Sequence, residues 1–203
     1  MSYRSGMLYA CRVALAIFLT PVASAKTVPE FSTAQVYATS VQVERLMQSP
    51  SSVEAAFSPD GEAEALVLRV IGSAASSIRL AGYSFTSPKV VRHLIDAKRR
   101  GVDVAIVIDA KGNLNSTSAQ ALNLLVNAGI PARLVDRYAI HHDKYIVVDG
   151  KHVETGSFNF TSSAASRNSE NVLVIWNNAD LAAQYLRHWQ SRFNQGVAYQ
   201  SSY

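Results

Sequence analysis

The stretch Val102-Asp-Val-Ala-Ile-Val-Ile108 is an almost continuous run of β-branched side chains, which is typical of a strand covered by other structure on both faces. Before it, Ser87-Pro88 provides an N-cap and a first-turn proline for a helix that is expected to stop at Gly101. After it, residues 116–128 have the apolar spacing of a second helix, and Ala132–Val135 is a short strand candidate. A buried strand between two helices predicts an α/β fold.

The same alternation of strand and helix extends in both directions from this stretch. Further strands are predicted at Val53–Phe57, Ile78–Ser84, Tyr145–Val148 and Val172–Trp176, and further helices at Ala63–Ala74 and Leu181–Phe193. We therefore expect residues 53–203 to form one α/β domain, a mixed β-sheet flanked by helices on both faces.

The N-terminal segment has the features of a processing signal. Two arginines are followed by the short apolar run Val13–Leu19 and by Ala23-Ser-Ala25, a small-x-small cleavage pattern, so residues 1–25 are predicted to be a cleaved signal peptide. An uncleaved anchor is the alternative, but the run is far shorter than the roughly 20 residues that cross a bilayer. Residues 26–52 are expected to be an extension or linker. These features predict a periplasmic or secreted protein.

The composition fits a soluble globular domain, because 48% hydrophobic and 17% charged residues exclude the disordered and fibrous classes. The 203-residue chain has a formal charge of +4; removing Arg4 and Arg12 with the signal leaves 17 basic against 15 acidic residues, or +2. That balance permits a polyanion to approach without indicating nucleic acid by itself. The single cysteine, Cys11, excludes an intrachain disulfide.

The residues most suited to catalysis lie in His142-Asp-Lys144-Tyr-Ile-Val-Val-Asp149. His142 and Lys144 are two apart at the start of a predicted strand, so both side chains are expected to project to one side of the sheet. An imidazole beside an ammonium suits an anion: the ring can act as nucleophile or proton carrier, and the ammonium can stabilise a developing phosphoryl charge. Asp149 is a catalytic candidate, although pairing with a cation or capping the turn at Gly150 is equally open.

A second polar group, Gly156-Ser157-Phe158-Asn159, follows six residues after Asp149. Gly156 is expected to give a flexible turn, and the Ser157 hydroxyl and Asn159 amide to donate hydrogen bonds to phosphoryl oxygens. Glu170 is expected to accept the second ring N–H of His142 and so to fix its tautomer.

The combined pattern His142-x-Lys144-x4-Asp149-x6-Gly156-Ser157-x-Asn159 resembles the HKD signature of the phospholipase D superfamily, with every position filled. The segments Phe57-Ser-Pro-Asp-Gly61, Gly82-Tyr-Ser-Phe-Thr86 and Arg100-Gly-Val-Asp-Val104 are also similar to those of its small bacterial endonucleases, which have one copy of the motif.

This resemblance implies a two-step phosphodiesterase in which one histidine attacks phosphorus to give a phosphohistidine and another protonates the leaving alcohol. Because the chain has one copy of the signature, it also implies a homodimer with a shared active site, to which each subunit gives His142, Lys144 and Asn159. No cofactor or metal is implied. The alternative is a metal site formed by His141, His142 and His152 with Asp143 or Asp149. Adjacent histidines on a strand point to opposite faces, which makes joint ligation of one metal ion awkward.

The signature does not distinguish nucleic acids from phospholipids as substrates. Three arginines near the signature could contact phosphates, although a solvated surface position is the common role of such residues: Arg137, Arg133 and Arg167. Three aromatic residues could stack on bases, although core packing is the common role of such rings: Phe158, Tyr138 and Phe160. No basic amphipathic helix or apolar loop suggests binding to a lipid surface. We expect a non-specific endonuclease acting on DNA, with RNA left open. The alternatives are a phospholipase D and an inactive anion- or nucleic-acid-binding protein.

Overall fold

A computed structural model describes residues 50–202. The predicted signal peptide and residues 26–49 of the predicted extension lie outside the described residues. The strands are β1 Ser52–Ser58, β2 Ser77–Gly82, β3 Asp103–Asp109, β4 Ala132–Val135, β5 Tyr145–Val148, β6 His152–Gly156, β7 Glu170–Trp176 and β8 Val197–Ala198. The helices are α1 Glu62–Gly72, α2 Pro88–Arg99, α3 Ser116–Asn127, α4 Ser162–Ser166 and α5 Ala179–Gln195.

The eight strands form one mixed sheet in the order β1-β7-β6-β5-β2-β3-β4-β8. Strands β2, β3 and β4 are parallel and are linked by α2 and α3, whereas the remaining pairs are antiparallel. The parallel half therefore meets an antiparallel meander, β5-β6-β7, at the central β2–β5 pair. This architecture confirms the predicted α/β fold with a mixed sheet.

Helices cover both faces of the sheet, as predicted. Helices α1, α2 and α3 pack over the larger apolar core, to which the sheet contributes alternate residues such as Ile106 and Ile146. Helix α5 covers the other face, where Trp189 packs with Val107 and Val147 and donates its indole N–H to the Leu80 carbonyl at 2.9 Å. The two-sided burial explains the β-branched composition of β3.

Three short elements were not predicted from the sequence: β6, α4 and β8. Strand β6 is joined to β5 by a hairpin in which Asp149 and Gly150 have φ values of 54° and 63°, and the Lys151 N–H donates to the Val148 carbonyl. Positive φ at both central residues is characteristic of a type I′ turn, and Asp-Gly is a preferred sequence for that turn.

The strand register places several chain segments at one edge of the sheet. Ala81, near the end of β2, lies opposite Tyr145 at the start of β5, and Tyr145 in turn lies opposite Thr155 near the end of β6. Gly156 lies opposite Val172, close to the start of β7. The segments that precede β5 and follow β2 and β6 therefore meet at this edge. Within residues 50–202, no helix is long and apolar enough to cross a membrane.

Candidate active site

His142 and Lys144 lie in the loop that leads directly into β5, whose bounds are those predicted from the sequence. They nevertheless share one side of the sheet edge, because both contact Tyr83 of the segment after β2. The His142 and Tyr83 ring centroids are 4.8 Å apart, and the Lys144 ammonium lies 5.4 Å from the centre of the same ring. His142 is exposed to solvent and Lys144 is only 7% exposed. The pair therefore combines an accessible imidazole with a held cation.

The Lys144 ammonium is fixed by the protein around it. Its Nζ donates to the His142 carbonyl oxygen at 3.0 Å. Burial lowers the pKa of Lys144 below its ordinary value, while the Glu170 and Asp143 carboxylates raise it and so favour the charged form. A cation held in this way can stabilise negative charge on an anion that reaches His142.

The Ser157 side chain links the end of β6 to the start of β7. Its hydroxyl donates to Glu170 Oε2 at 2.6 Å and accepts from the Asn171 N–H at 3.1 Å. Glu170 also accepts from the Asn168 amide at 2.9 Å, so its described hydrogen bonds go to Ser157 and Asn168 and not to His142. The predicted Glu170–His142 hydrogen bond is therefore not formed within the described residues of this chain. Glu170 still acts electrostatically on Lys144.

Gly156 has a role different from the flexible turn that was predicted. It is the last residue of β6, and a Cβ atom there would lie 2.1 Å from the Asn171 carbonyl oxygen. A side chain cannot fit at that distance, so glycine is needed for the close approach of β6 to β7. Gly156 thereby sets the position of Ser157 and Asn159.

Asn159 lies in the loop after β6, next to the segment that carries Tyr83. The neighbouring Phe160 pairs with Phe85, and its carbonyl accepts from the backbone N–H groups of Thr86 and Ser87. The Asn159 side-chain oxygen is buried and has no hydrogen-bond partner. The unpartnered atom is an acceptor, so donation from the Asn159 amide to a phosphoryl oxygen stays a prediction.

Asp149 lies at the opposite end of β5 from His142, which corrects its assignment as a catalytic residue. Its carboxylate accepts from the backbone N–H groups of Ala75, Ser76 and Ser77 and from the Ser76 hydroxyl. Burial alone would raise the pKa of Asp149, but these hydrogen bonds outweigh it and lower the pKa. Asp149 therefore holds the segment before β2 against the β5–β6 turn. This structural role is similar to the turn-capping role at Gly150 that the sequence left open.

The structure bears differently on the two predicted substrate contacts Phe158 and Arg137. Phe158 is 1% exposed within the larger core, together with Phe160, so neither ring is free to stack on a base. Arg137 is exposed in the β4–β5 loop, five residues before His142, where a substrate contact stays a prediction. Arg133 packs on Phe193 at 4.6 Å and donates to its carbonyl, which gives it a structural role.

A cluster next to His142, which the sequence did not predict, joins α5 to the β4–β5 loop. Asp143 accepts from His188 Nε2 at 2.8 Å and lies 3.4 Å from His141 Nδ1. The His141 backbone N–H donates to Asp109 at the end of β3. Burial lowers the pKa of His141, although Asp143 and Asp109 oppose the shift. These contacts hold the irregular loop that positions His142.

The metal alternative gains no support from the arrangement of its residues. Among residues 50–202, no group of three or more His, Cys, Asp or Glu side chains is placed to hold a metal ion. His152 begins β6 at the edge away from His142, is buried, and accepts from the Asn177 N–H.

Comparisons with known proteins identify the family. The family model described as "Cardiolipin synthase, PLD-like domain" matches residues 67–194. A Rickettsia bellii protein named phospholipase D is 39% identical over 144 residues, which cover 71% of this chain and 70% of that protein. A Mus musculus protein named mitochondrial cardiolipin hydrolase is 34% identical over 109 residues, or 54% of this chain and 48% of that protein.

Solved structures agree with these matches. The crystal structure of Nuc from Salmonella typhimurium, titled a phospholipase D family member, is 52% identical with a TM-score of 0.74 and covers 75% of this chain and 100% of that chain. NucT from Helicobacter pylori shares the fold at 22% identity and a TM-score of 0.67, with 74% of this chain and 100% of that chain covered. The chain therefore belongs to the phospholipase D superfamily and is a phosphodiesterase of that superfamily.

Proposed function

We propose that this phosphodiesterase is a non-specific endonuclease that cleaves DNA through a phosphohistidine intermediate. The observation that carries the proposal is the accessible His142 ring beside the held Lys144 cation at an open edge of the sheet. A cavity of about 470 Å³ lies against both residues and extends along α5, which leaves room for a substrate longer than one phosphate. An endonuclease needs such an open, extended approach to its nucleophile.

In the proposed reaction, a ring nitrogen of His142 attacks phosphorus while the bond to the leaving alcohol breaks. The partner subunit's His142 donates a proton to the leaving oxygen and then takes one from the water that hydrolyses the phosphohistidine. Lys144 stabilises the charge on the phosphoryl oxygens, and Asn159 supplies a neutral polar group beside it. The products are one alcohol and one phosphomonoester, and the first ring is regenerated.

The proposed assembly is a homodimer whose two-fold axis passes through the active site. Its support is chemical: the scheme requires an acid on the side of phosphorus opposite to the nucleophile, and His142 is exposed where a second copy could present the same ring. His188 is the other imidazole against this cavity, but its Nε2 is bonded to Asp143. We therefore assign the second catalytic ring to a second copy of the chain.

Phospholipase D activity is the second candidate function, favoured by the names of the Rickettsia proteins. The surface near His142 gives it less support. Of the large apolar side chains that are exposed within residues 50–202, Ile140 lies in the loop that carries His142, and Phe57 lies opposite Asn171, which contacts Ser157. These are separate side chains on different elements, and single exposed apolar residues are common on soluble proteins. An enzyme that works at a lipid surface is expected to present a larger apolar patch.

The proposal is tested by incubating purified protein with single- and double-stranded DNA, RNA and phosphatidylcholine vesicles, each in excess EDTA. We expect cleavage of DNA by the wild-type protein, loss of that activity in His142→Asn, and no loss in the matched control His93→Asn. The His93 ring bonds to the Lys89 carbonyl of its own helix, away from the site. Release of choline without cleavage of any polynucleotide would establish the second candidate instead, and loss of DNA cleavage in EDTA would contradict the metal-free mechanism.

The shared site is tested by refolding wild-type and His142→Asn chains together in varied proportions. If both histidines serve one phosphate, only dimers of two wild-type chains are active, and activity falls as the square of the wild-type fraction. A linear fall, or full activity in a species that sediments as a monomer, would contradict the proposed dimer.

We further propose export from the cytosol, on the support of the apolar run and the cleavage pattern that ends at Ala25. Amino-terminal sequencing of the protein from the periplasm or medium of an expressing bacterium should begin at Lys26. Recovery of the uncleaved chain in the cytosol would contradict this prediction.

A further inference from the structure

One face of α5 forms a row of polar side chains beside the active site. Gln184, His188 and Arg192 are spaced four residues apart and therefore lie on one side of the helix, with about 6 Å of helix rise between neighbours. We call these three residues the α5 row. The loop 138–144, which carries His142, lies opposite the row.

The α5 row lines two cavities that meet at the catalytic histidine. Gln184 and His188 line the cavity of about 470 Å³, and His188 and Arg192 line a smaller one of about 140 Å³. Both cavities also contact His142 and Asp143. A ligand bound at His142 can therefore continue along α5 in the direction of Arg192.

Arg192 is held in an orientation that leaves donors for a ligand. Its guanidinium lies 4.8 Å from the centre of the Tyr138 ring, and Tyr138 is itself fixed by a 2.7 Å hydrogen bond to Gln195. The described hydrogen bond of the guanidinium is one donated by Nη1 to the Ser191 hydroxyl at 3.2 Å. A guanidinium has five N–H donors, so most of its fork can bind an anion.

Tyr145 lines the larger cavity and His141 lines the smaller one, and both side chains are almost fully buried. The Tyr145 hydroxyl and His141 Nε2 have no hydrogen-bond partner, but both atoms are closed to solvent. Recognition of a ligand in the smaller cavity therefore falls to the more exposed Arg192. The acid at this site, Asp143, accepts a hydrogen bond from His188.

We propose that the smaller cavity binds a phosphate next to the scissile one on a polynucleotide, with Arg192 as its principal ligand. This inference rests on the proposed function, because it assumes a substrate with several phosphates. Both cavities contact His142, and Arg192 lines the smaller one, so a strand whose scissile phosphate lies at His142 can place a neighbouring phosphate against Arg192. A phosphatidyl lipid with a single phosphate has no group of this charge to place there, so Arg192 would favour polynucleotides.

The test compares two substrates, a single-stranded DNA oligonucleotide and bis(p-nitrophenyl) phosphate, which has one phosphate. In Arg192→Gln, the ratio of kcat/KM for DNA to kcat/KM for the small diester should fall about tenfold, mainly through KM. The salt dependence of kcat/KM for DNA should become shallower by about one unit in the log–log slope. Arg192→Lys, which keeps the charge but loses the fork, should retain the salt slope and recover part of the ratio.

The matched control is Arg187→Gln, which removes the same charge from an exposed position about 140° around the same helix. We expect it to leave the ratio and the slope unchanged. An equal loss on both substrates in Arg192→Gln, or an unchanged ratio, would overturn this inference while leaving the nuclease intact. Wild-type protein that hydrolyses the small diester but no polynucleotide would instead overturn the proposed function.

Discussion

Glu154 gives the most demanding prediction, because it is a carboxyl group buried without a partner in the larger core. It lies in β6 opposite Ile146 and Val174, is 1% exposed, and neither of its side-chain oxygens has a hydrogen-bond partner. Burial raises the pKa of Glu154 from its ordinary value of 4.5 to about 8. The folded protein therefore keeps the Glu154 carboxyl protonated over a pH range in which the unfolded chain releases that proton.

The size of the effect follows from the two pKa values. Between pH 4.5 and 8 the folded state binds more protons than the unfolded state, so this group lowers the free energy of unfolding as pH rises. At 1.36 kcal/mol for each unit of pKa difference, the loss is under about 1 kcal/mol at pH 5 and about 3 kcal/mol at pH 7. Above the folded-state pKa the loss levels off near ~5 kcal/mol.

Glu154→Gln removes the titration and keeps the shape of the neutral side chain. We expect the stability of this variant relative to wild type to rise by about 2.5 kcal/mol between pH 5 and pH 7, because other groups titrate equally in both proteins. Urea unfolding at a series of pH values measures this difference, and an unchanged m-value confirms that the same surface is exposed. A difference that stays constant with pH would refute the argument, since the carboxyl would then titrate equally in the folded and unfolded states.

Three further predictions concern residues whose roles the structure revised. Gly156→Ala should cost about 3 kcal/mol in the free energy of unfolding and reduce activity, because its Cβ would overlap the Asn171 carbonyl; a stable, fully active variant in thermal unfolding and DNA cleavage would contradict the close approach. Asp149→Asn should cost about 2 kcal/mol at neutral pH while kcat persists in the folded fraction. Because its pKa is lowered in the folded state, that difference should shrink as pH falls through the folded-state pKa, and a loss of kcat without loss of stability would restore the catalytic assignment. Phe158→Ala should lower the free energy of unfolding by about 3 to 5 kcal/mol, with Phe158→Leu costing less; an effect confined to the KM for DNA would favour base stacking instead.

The fold could be predicted where local patterns agree with burial. Strand β3 and helices α2 and α3 have apolar periods and end signals that their packing preserves, so the prediction was close to the observed bounds. Strand β6 lacks this agreement, because the ionisable Glu154 occupies a core position and interrupts the apolar alternation in the sequence. The Asp149-Gly150 pair is the sequence signal for the β5–β6 hairpin, and it becomes decisive only when a strand is expected on each side of it.

The candidate active site likewise contains residues that the sequence predicts and residues that it does not. His142 and Lys144 are found from spacing alone, since the pattern is local. His188 is 46 residues from His142 in the chain and reaches the site only because α5 packs across the sheet, so no local signal distinguishes it from other histidines. Phe158 lies next to the motif in sequence, but pairing of Phe160 with the segment after β2 directs the Phe158 ring into the core and away from any substrate.

The central β2–β5 pair has a consequence for how activity arises during folding. His142 comes from the segment before the antiparallel meander, whereas Tyr83, against which it packs, comes from the parallel half. A chain in which only one half has formed therefore has no assembled catalytic centre. The geometry of the candidate site therefore depends on formation of the β2–β5 pair, which is the seam between the parallel and antiparallel parts of the sheet.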